Sequence, residues 1–339
     1  GVEKKLDSTL LGHDGWVKLE TDSKGVIKKE LERKHAIPGE NIRTSLILDL
    51  QSMAMEQLNN INGAIVVLDC ETGGINCLAS SPSFNNNDFS NGVSNHMWNQ
   101  LLNDDFNPLL NRSIAGLYSP GSTYKLVTAL FALERMNLNK NKTFFCNGHI
   151  SFGNRKFHCW KKEGHGNVNL IEAVKKSCDC YFYNLAKTIE IDELSSFSRM
   201  FSYGDKSGVD VPNELAGIMP NKSWKKKNRK ERWHKGETLN TVIGQGYLLS
   251  TPLQMTLMTA RIATGKMILP SIIPKKKNFD ELSLSKQNLN FIRQSMFDVV
   301  NDFDGTAFRS RLNSKYKMAG KTGTSQVRKI RIEERDKGV

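Results

Sequence analysis

Long apolar runs are missing from this sequence. No stretch approaches the ~18 residues that a membrane-crossing helix needs, so none is expected within the 339 residues. The opening also lacks the charged, apolar and small-residue order of a secretory signal. "GVEKKLDSTLLGHDGW" reads instead as an interior piece, and a fragment of a longer chain is expected. No internal repeat is present, which argues against a solenoid. The net charge of +13 invites a nucleic-acid reading. The basic residues are scattered, however, with short runs only at Lys225–Lys227 and Lys275–Lys277, and no stacking-aromatic or groove-reading motif lies beside them. No nucleic-acid partner is expected. Solvated lysine on a Lys- and Asn-rich surface is the simpler account, with attraction to an anionic membrane face or cell-wall polymer as the second.

What remains is a chain with an ordinary apolar fraction and room for a core. Residues 1 to about 40 are polar with interspersed β-type residues, and read as the end of a small β-rich accessory module bounded near Pro38-Gly39. Residues 41–339 then form the main domain. "NIRTSLILDLQSMAMEQLNNI" predicts a strand running into a helix that ends near Asn59-Asn60. "GAIVVLDCETGGINCLASSPSF" predicts a hairpin around a Glu-Thr-Gly-Gly turn, carrying Cys70 and Cys77 as packed thiols. Helical patterns follow after Ser122, at Leu170–Ile189, at Pro252–Ala263 with Thr251 as cap, and at Leu284–Val300. "KYKMAGKTGTSQVRKI" alternates and has close glycines, as in a strand against which another backbone can lie.

Ser-x-x-Lys occurs four times, at Ser122–Lys125, Ser223–Lys226, Ser283–Lys286 and Ser314–Lys317. Only Ser122 follows a Pro-Gly turn and opens a strongly apolar helix. There, first-turn N–H groups are unpaired and the helix dipole favours negative charge, which suits a serine that attacks a carbonyl. At i and i+3 both side chains share a face. A desolvated lysine near a second cation can serve as its base. Alone, the pair fits an ordinary helix start equally well. Two further pieces shift the balance: Ser177-x-Asp179 before an aromatic run, and the single Lys321-Thr322-Gly323 triplet. In this order, the three are the signature of penicillin-binding proteins and class A β-lactamases.

The chain thus resembles the transpeptidase domain of class B penicillin-binding proteins, most of all the elongation-type (penicillin-binding protein 2) subfamily. "NRSIAGLYSPGSTYK", "WKKEGHGNVNLIEAVKKSCDCYFY" and "GETLNTVIGQGYLLSTPLQM" carry the likeness, as does Asp at position 179. The resemblance implies an α/β (α+β) fold, a central antiparallel sheet flanked by helices plus an all-helical lobe. Residues 1–40 would end an N-terminal pedestal or dimerisation-like module, and the anchor and the family's last strands and helix would lie outside this sequence. It implies Ser122 as nucleophile toward stem peptides ending in D-Ala-D-Ala, and Lys125 as base. Ser177 and Asp179 would be the proton relay, and Lys321 a positive charge facing the substrate carboxylate. Thr322, Gly323 and Thr324 would line the substrate, with the N–H groups of Ser122 and Thr324 as oxyanion hole. β-Lactams would acylate Ser122. A SEDS-type glycosyltransferase and an MreC-type scaffold are the implied partners, on the periplasmic face of the inner membrane. A serine β-lactamase, or a β-lactam sensor acylated without transfer, shares the motifs and is the alternative.

Cys146, Cys159, His165 and Cys178 are spaced C-x12-C-x5-H-x12-C. Three thiolates and an imidazole make a closed structural zinc set. Disulfides in an oxidising compartment and buried free thiols are the other readings, and Cys180 reads as packing. Metal-bearing relatives of the subfamily favour zinc, with Cys in place of carboxylate ligands.

Overall fold

The computed structural model describes residues 1–59, 61–90, 92–274 and 278–325. The chain opens with two single-turn helices, α1 (Val2–Lys5) and α2 (Asp7–Leu10), and an antiparallel hairpin, β1 (Trp16–Thr21) and β2 (Ile27–Lys34), exposed along its whole length. Helix α3 (Leu48–Gln57) follows. The strand expected before it is absent. Residues 41–47 are held instead by isolated bonds on two sides, Ser45 N–H to Ile272 O (2.7 Å) and Ile47 N–H to Asn76 O (2.9 Å), so the segment is tied down without a ladder.

The predicted hairpin is present as β3 (Gly63–Leu68) and β4 (Ile75–Ser81), with Cys77 buried on β4. Among the described residues this is the longest of three two-stranded antiparallel pairs in the domain, with α3 on one face. Helix α4 (Asn95–Asn103) and the short α5 (Arg112–Ala115) lead to a 3-10 turn, Gly121–Tyr124, and to α6 (Lys125–Arg135). Two small pairs then interleave, β5 (Phe144–Cys146) with β8 (Gly166–Val168), and β6 (His149–Phe152) with β7 (Arg155–His158).

Residues 170–189 are not one helix. They form α7 (Leu170–Lys175) and α8 (Asp179–Ala186), broken at Ser177, whose φ is +54°. Helices α9 (Ile191–Arg199), α10 (Lys222–Arg229), α11 (Lys235–Thr241), α12 (Pro252–Thr264) and α13 (Lys286–Asn301) complete the elements that matter here. The α12 cap is the expected one: Thr251 accepts from Gln254 N–H, Gln254 returns to Thr251 N–H, and Pro252 fills the first turn.

Helix α6 is the axis of the helical lobe. All nine residues from Lys125 to Leu133 are buried, and α6, α7, α8, α9 and α13 share one apolar cluster around them. Each fully buried Leu or Phe there contributes about 1.5–3 kcal/mol, which fixes the turn at its N-terminal end firmly in space. A second cluster joins β3, β4, α5 and α12. The Lys225–Lys227 run is only partly solvated. Lys226 and Lys227 are exposed, whereas Lys225 is buried and paired with Glu237 and with Glu231 (3.2 Å). The Lys275–Lys277 run lies outside the described residues, as does the part of the expected Lys-Thr-Gly strand beyond position 325. Residues 318–325 themselves have no strand pairing among the described residues. No helix among the described residues is long and apolar enough to cross a membrane.

Candidate active site

Of the four Ser-x-x-Lys pairs, only the Ser122 pair ends in a buried lysine. Lys226, Lys286 and Lys317 are all exposed. Gly121 takes φ +56°, and a Cβ there would sit 2.5 Å from the Thr324 carbonyl oxygen, so the turn requires glycine. Thr123 Oγ1 donates to Pro120 O (2.7 Å), and the buried Tyr124 hydroxyl meets Ser198 Oγ (2.6 Å) on α9. Burial raises the Tyr124 phenol above its ordinary range, so it stays a neutral anchor. Ser122 is left half-buried on this turn, and no hydrogen-bond partner of its hydroxyl is found among the described residues.

Lys125 follows as the first residue of α6 and is fully buried. Its Nζ lies 2.7 Å from Asp179 Oδ1. It donates to Ser177 O (2.8 Å) and Ser177 Oγ (3.2 Å) and sits 5.6 Å from the centroid of the Phe182 ring. An ammonium has three donors, and here three oxygens take them. A buried ammonium is satisfied first by a carboxylate and its neighbours, because leaving it unpaired costs more.

The break between α7 and α8 makes this possible. Left-handed backbone at Ser177 is strained for a residue with a side chain. It is over-determined by Cys178 N–H to Ala173 O (2.9 Å) and Ser177 N–H to Val174 O (3.2 Å). The reversal turns Ser177 inward and starts α8 with Asp179, where a carboxylate meets unpaired N–H groups. Asp179 Oδ2 also accepts from the Trp160 main-chain N–H (3.0 Å).

Lys321 enters from a third segment. Burial and the nearby Lys125 ammonium push it down to about 7, against a smaller opposing pull from Asp179. Its Nζ donates to Thr322 O (3.1 Å). The Thr322 hydroxyl is taken by Thr306 (2.8 Å), on a turn tied to α7 through Lys175–Asp302 (2.8 Å) and Lys176–Asp304 (3.5 Å). Both threonines are exposed, and the Thr324 hydroxyl, with no such partner among the described residues, is the better placed of the two for a ligand. Gly323 has a further reason beyond the expected one. A Cβ there would press on Pro120 O and Thr123 Cγ2, both at 3.0 Å, so its smallness also lets two parts of this chain approach each other.

Three contributors were not identified from residue type: the Trp160 N–H, Thr306, and Gln245, whose amide donates to Thr324 O (3.1 Å). Gln245 and Trp160 lay within quoted runs, with no role attached, and Thr306 lay in none.

Beside this site, the four residues Cys146, Cys159, His165 and Cys178 converge, their ligand atoms all within 4.8 Å of one another. His165 Nδ1 is 3.6 Å from Cys146 Sγ and 3.5 Å from Cys159 Sγ. Zinc bonded to sulfur at about 2.3 Å and to nitrogen at about 2.0–2.1 Å, at tetrahedral angles, places S and N about 3.6 Å apart. The set therefore fits that ion. The buried Nε2 has no hydrogen-bond partner among the described residues, so the contacts of the ring nitrogens lie on the sulfur side. None of the six cysteines is in a disulfide. Cys180 is also drawn in, since it and Cys178 both donate toward Cys159, which lowers the Cys159 thiol and raises the other two.

Residues 63–336 match the family described as penicillin binding protein transpeptidase domain, and residues 1–44 match the penicillin-binding protein dimerisation domain. The peptidoglycan D,D-transpeptidase MrdA of Acinetobacter baumannii is 38% identical over 345 residues, 97% of this chain and 51% of the relative. The chain thus spans about half the length of the curated relatives it matches. The solved complex between penicillin-binding protein PBP2 and MreC from Helicobacter pylori superposes with a TM-score of 0.89 at 39% identity, covering 96% of this chain and 62% of that one. A structure described as the coordination of polymerization and crosslinking by a peptidoglycan synthase complex gives 0.84 at 28%, covering 95% and 59%. With all three motif segments meeting at one point, the chain belongs to the penicillin-binding protein transpeptidase family.

Proposed function

We propose that the protein is a peptidoglycan D,D-transpeptidase working through an acyl-enzyme on Ser122. The observation that carries this reading is the buried Lys125, which joins the nucleophile turn to Ser177 and Asp179. In acylation, Ser122 Oγ bonds the carbonyl carbon of the penultimate D-Ala and its proton passes to Lys125. Lys125 acts from its free-amine form, so the one proton it takes from Ser122 is the one it passes on. The amide C–N bond breaks, and the departing D-Ala nitrogen takes a proton returned through the Ser177 hydroxyl. N–H groups of Ser122 and Thr324 stabilise the oxyanion. An amine of a neighbouring stem peptide then attacks the ester, gives its proton back along the same path and restores Ser122. A β-lactam acylates likewise, but its nitrogen stays tethered and blocks the acceptor. Incubation with a D-Ala-D-Ala stem peptide and an amine acceptor is expected to release D-alanine and form the cross-linked product. Rapid turnover of a chromogenic cephalosporin without cross-linking would favour the β-lactamase alternative.

Lys321 gives this reading a pH signature. Its ammonium is present below about pH 7 and is lost above it, in the free site. An anionic ligand favours the charged form, so ligand capture is coupled to proton uptake. The encounter constant of benzylpenicillin is expected to weaken roughly tenfold per pH unit above about 7, while in Lys321→Arg it stays flat. Stopped-flow acylation measured across pH 6–9 checks this, and equal slopes in both proteins would contradict it.

We also infer that Cys146, Cys159, His165 and Cys178 hold a structural zinc ion. Zinc would supply cross-linking of the β5–β8 region to the Ser177 loop and no catalytic step. Elemental analysis should find one zinc per chain. Chelation should lower the melting temperature by several degrees and release thiols to a thiol reagent. Metal-free protein whose thiols titrate freely from the start would end this inference.

We place the full-length protein at the periplasmic face of the inner membrane. The MreC complex of the Helicobacter pylori relative and the synthase complex above support MreC-type and glycosyltransferase partners.

A further inference from the structure

The two N–H groups assigned to the oxyanion come from segments far apart in the chain, the turn at Ser122 and the stretch at Thr324. Among the described residues no backbone hydrogen bond joins these segments. Among the described residues none pairs with 318–325 as a strand. Among the described residues, two things hold them together. One is close approach, Gly323 against Pro120 and Thr123, and Gly121 against Thr324. The other is a single polar tie, Gln245 Nε2 to Thr324 O at 3.1 Å.

Gln245 lies in the turn that follows α11, between Gly244 and Gly246, both at φ +77°. Its own N–H returns to Asn240 O (3.0 Å), which closes the turn and fixes where the side chain starts. Its neighbour Gly244 accepts the Gly121 N–H at 2.9 Å. A Cβ on Gly244 would overlap the Gly121 carbonyl, so only glycine permits this contact. Two adjacent residues therefore grip both halves of the site, Gly244 through its main chain on the nucleophile turn and Gln245 through its side chain on the Lys-Thr-Gly segment.

We propose that Gln245 is a positioning residue for acylation: its amide holds the Thr324 carbonyl and thereby sets which edge of the 321–325 segment faces Ser122. Holding that carbonyl fixes rotation about the Thr324 Cα–C bond. The preceding peptide, which carries the Thr324 N–H, is then constrained from both ends, by Gly323 packed on Pro120 and by the carbonyl bond. The effect belongs to the transition state, since the N–H aims at charge that develops only there. Ligand capture depends on Lys321 and the threonine hydroxyls, which Gln245 does not touch.

This inference rests on the Ser122 acyl-enzyme reading. The test is pre-steady-state acylation by a fluorescent penicillin, resolving the encounter constant from the acylation rate constant, in wild type, Gln245→Glu, Gln245→Ala and Gln245→Lys. Glu keeps the size and removes the donor; Lys keeps a donor of similar reach. The acylation rate constant is expected to fall ~10–30-fold in the Glu and Ala variants, less than outright loss of an oxyanion donor. It should recover to within about threefold of wild type in the Lys variant, any effect of the added charge falling on the encounter constant. The encounter constant of the Ala variant should move less than about threefold, that of the Glu variant should weaken through its added negative charge, and melting temperatures should stay within about 1 °C of wild type. Wild-type acylation at Ser122 with unchanged rate constants in the Glu and Ala variants overturns this inference alone. So does a fall that follows lost melting temperature, or one the Lys variant shares. Wild type that is not acylated, or Ser122→Ala that is, overturns the underlying reading first.

Discussion

Changing Ser122 to alanine is expected to remove all covalent labelling by fluorescent penicillin while leaving the fold intact. The two halves of this expectation have separate causes. The label needs a bond from an oxygen that the variant lacks, and removing a serine nucleophile elsewhere lowers kcat by about 10⁶. The fold does not need that oxygen, because its hydroxyl has no hydrogen-bond partner among the described residues. The turn is held instead by Thr123 on Pro120, Tyr124 on Ser198 and Gly121 on Gly244. The stability change should stay within about 0.5 kcal/mol. Gel fluorescence with a melting curve on the same sample checks both halves. Labelling that survives would place the nucleophile elsewhere.

The Lys125→Met variant is expected to lose acylation almost as fully, by at least ~10³-fold, but at a cost in stability. Methionine fills the buried channel beside Phe182 without a base or a charge. Asp179 then faces the interior with the Trp160 N–H as its one remaining hydrogen bond among the described residues. Removing one partner of a buried pair costs about 3–5 kcal/mol, and the slight exposure of Asp179 and that remaining bond place this case at the low end. A drop in melting temperature of several degrees follows. In Lys125→Met with Asp179→Asn, stability should largely return, since the stranded charge is gone, while acylation stays lost. Thermal melts and single-turnover labelling of the three proteins separate these effects. A double variant no more stable than Lys125→Met would contradict the pairing as the source of the loss.

Much of the site was legible because each motif is local. Pro120-Gly121-Ser122 followed by an apolar run declares a turn and a buried helix, and the structure buries Lys125 at its first position. The cysteine and histidine spacing named the four residues that the fold brings together. The failures share one physical cause. Residues 41–47 read as a strand, yet the neighbouring segments offer one main-chain bond on each side and no ladder. Residues 170–189 have a helix's composition, yet Ser177 adopts left-handed backbone because contacts from α7 and Lys125 outweigh local preference. The Trp160 contribution is a main-chain N–H, which any residue but proline supplies, so no letter of the sequence could announce it. Gln245 and Thr306 act across long sequence separations, where single-sequence periodicity has nothing to say.

The central claim is that Ser122 is the residue acylated, and peptide mapping tests it most directly. Protein saturated with benzylpenicillin, digested with trypsin and sequenced by tandem mass spectrometry should carry one penicilloyl group, on the peptide ending at Lys125, with fragment ions placing it on Ser122. An adduct on Ser113, Ser119, Ser177 or a cysteine, or no adduct on a folded protein, would contradict the account.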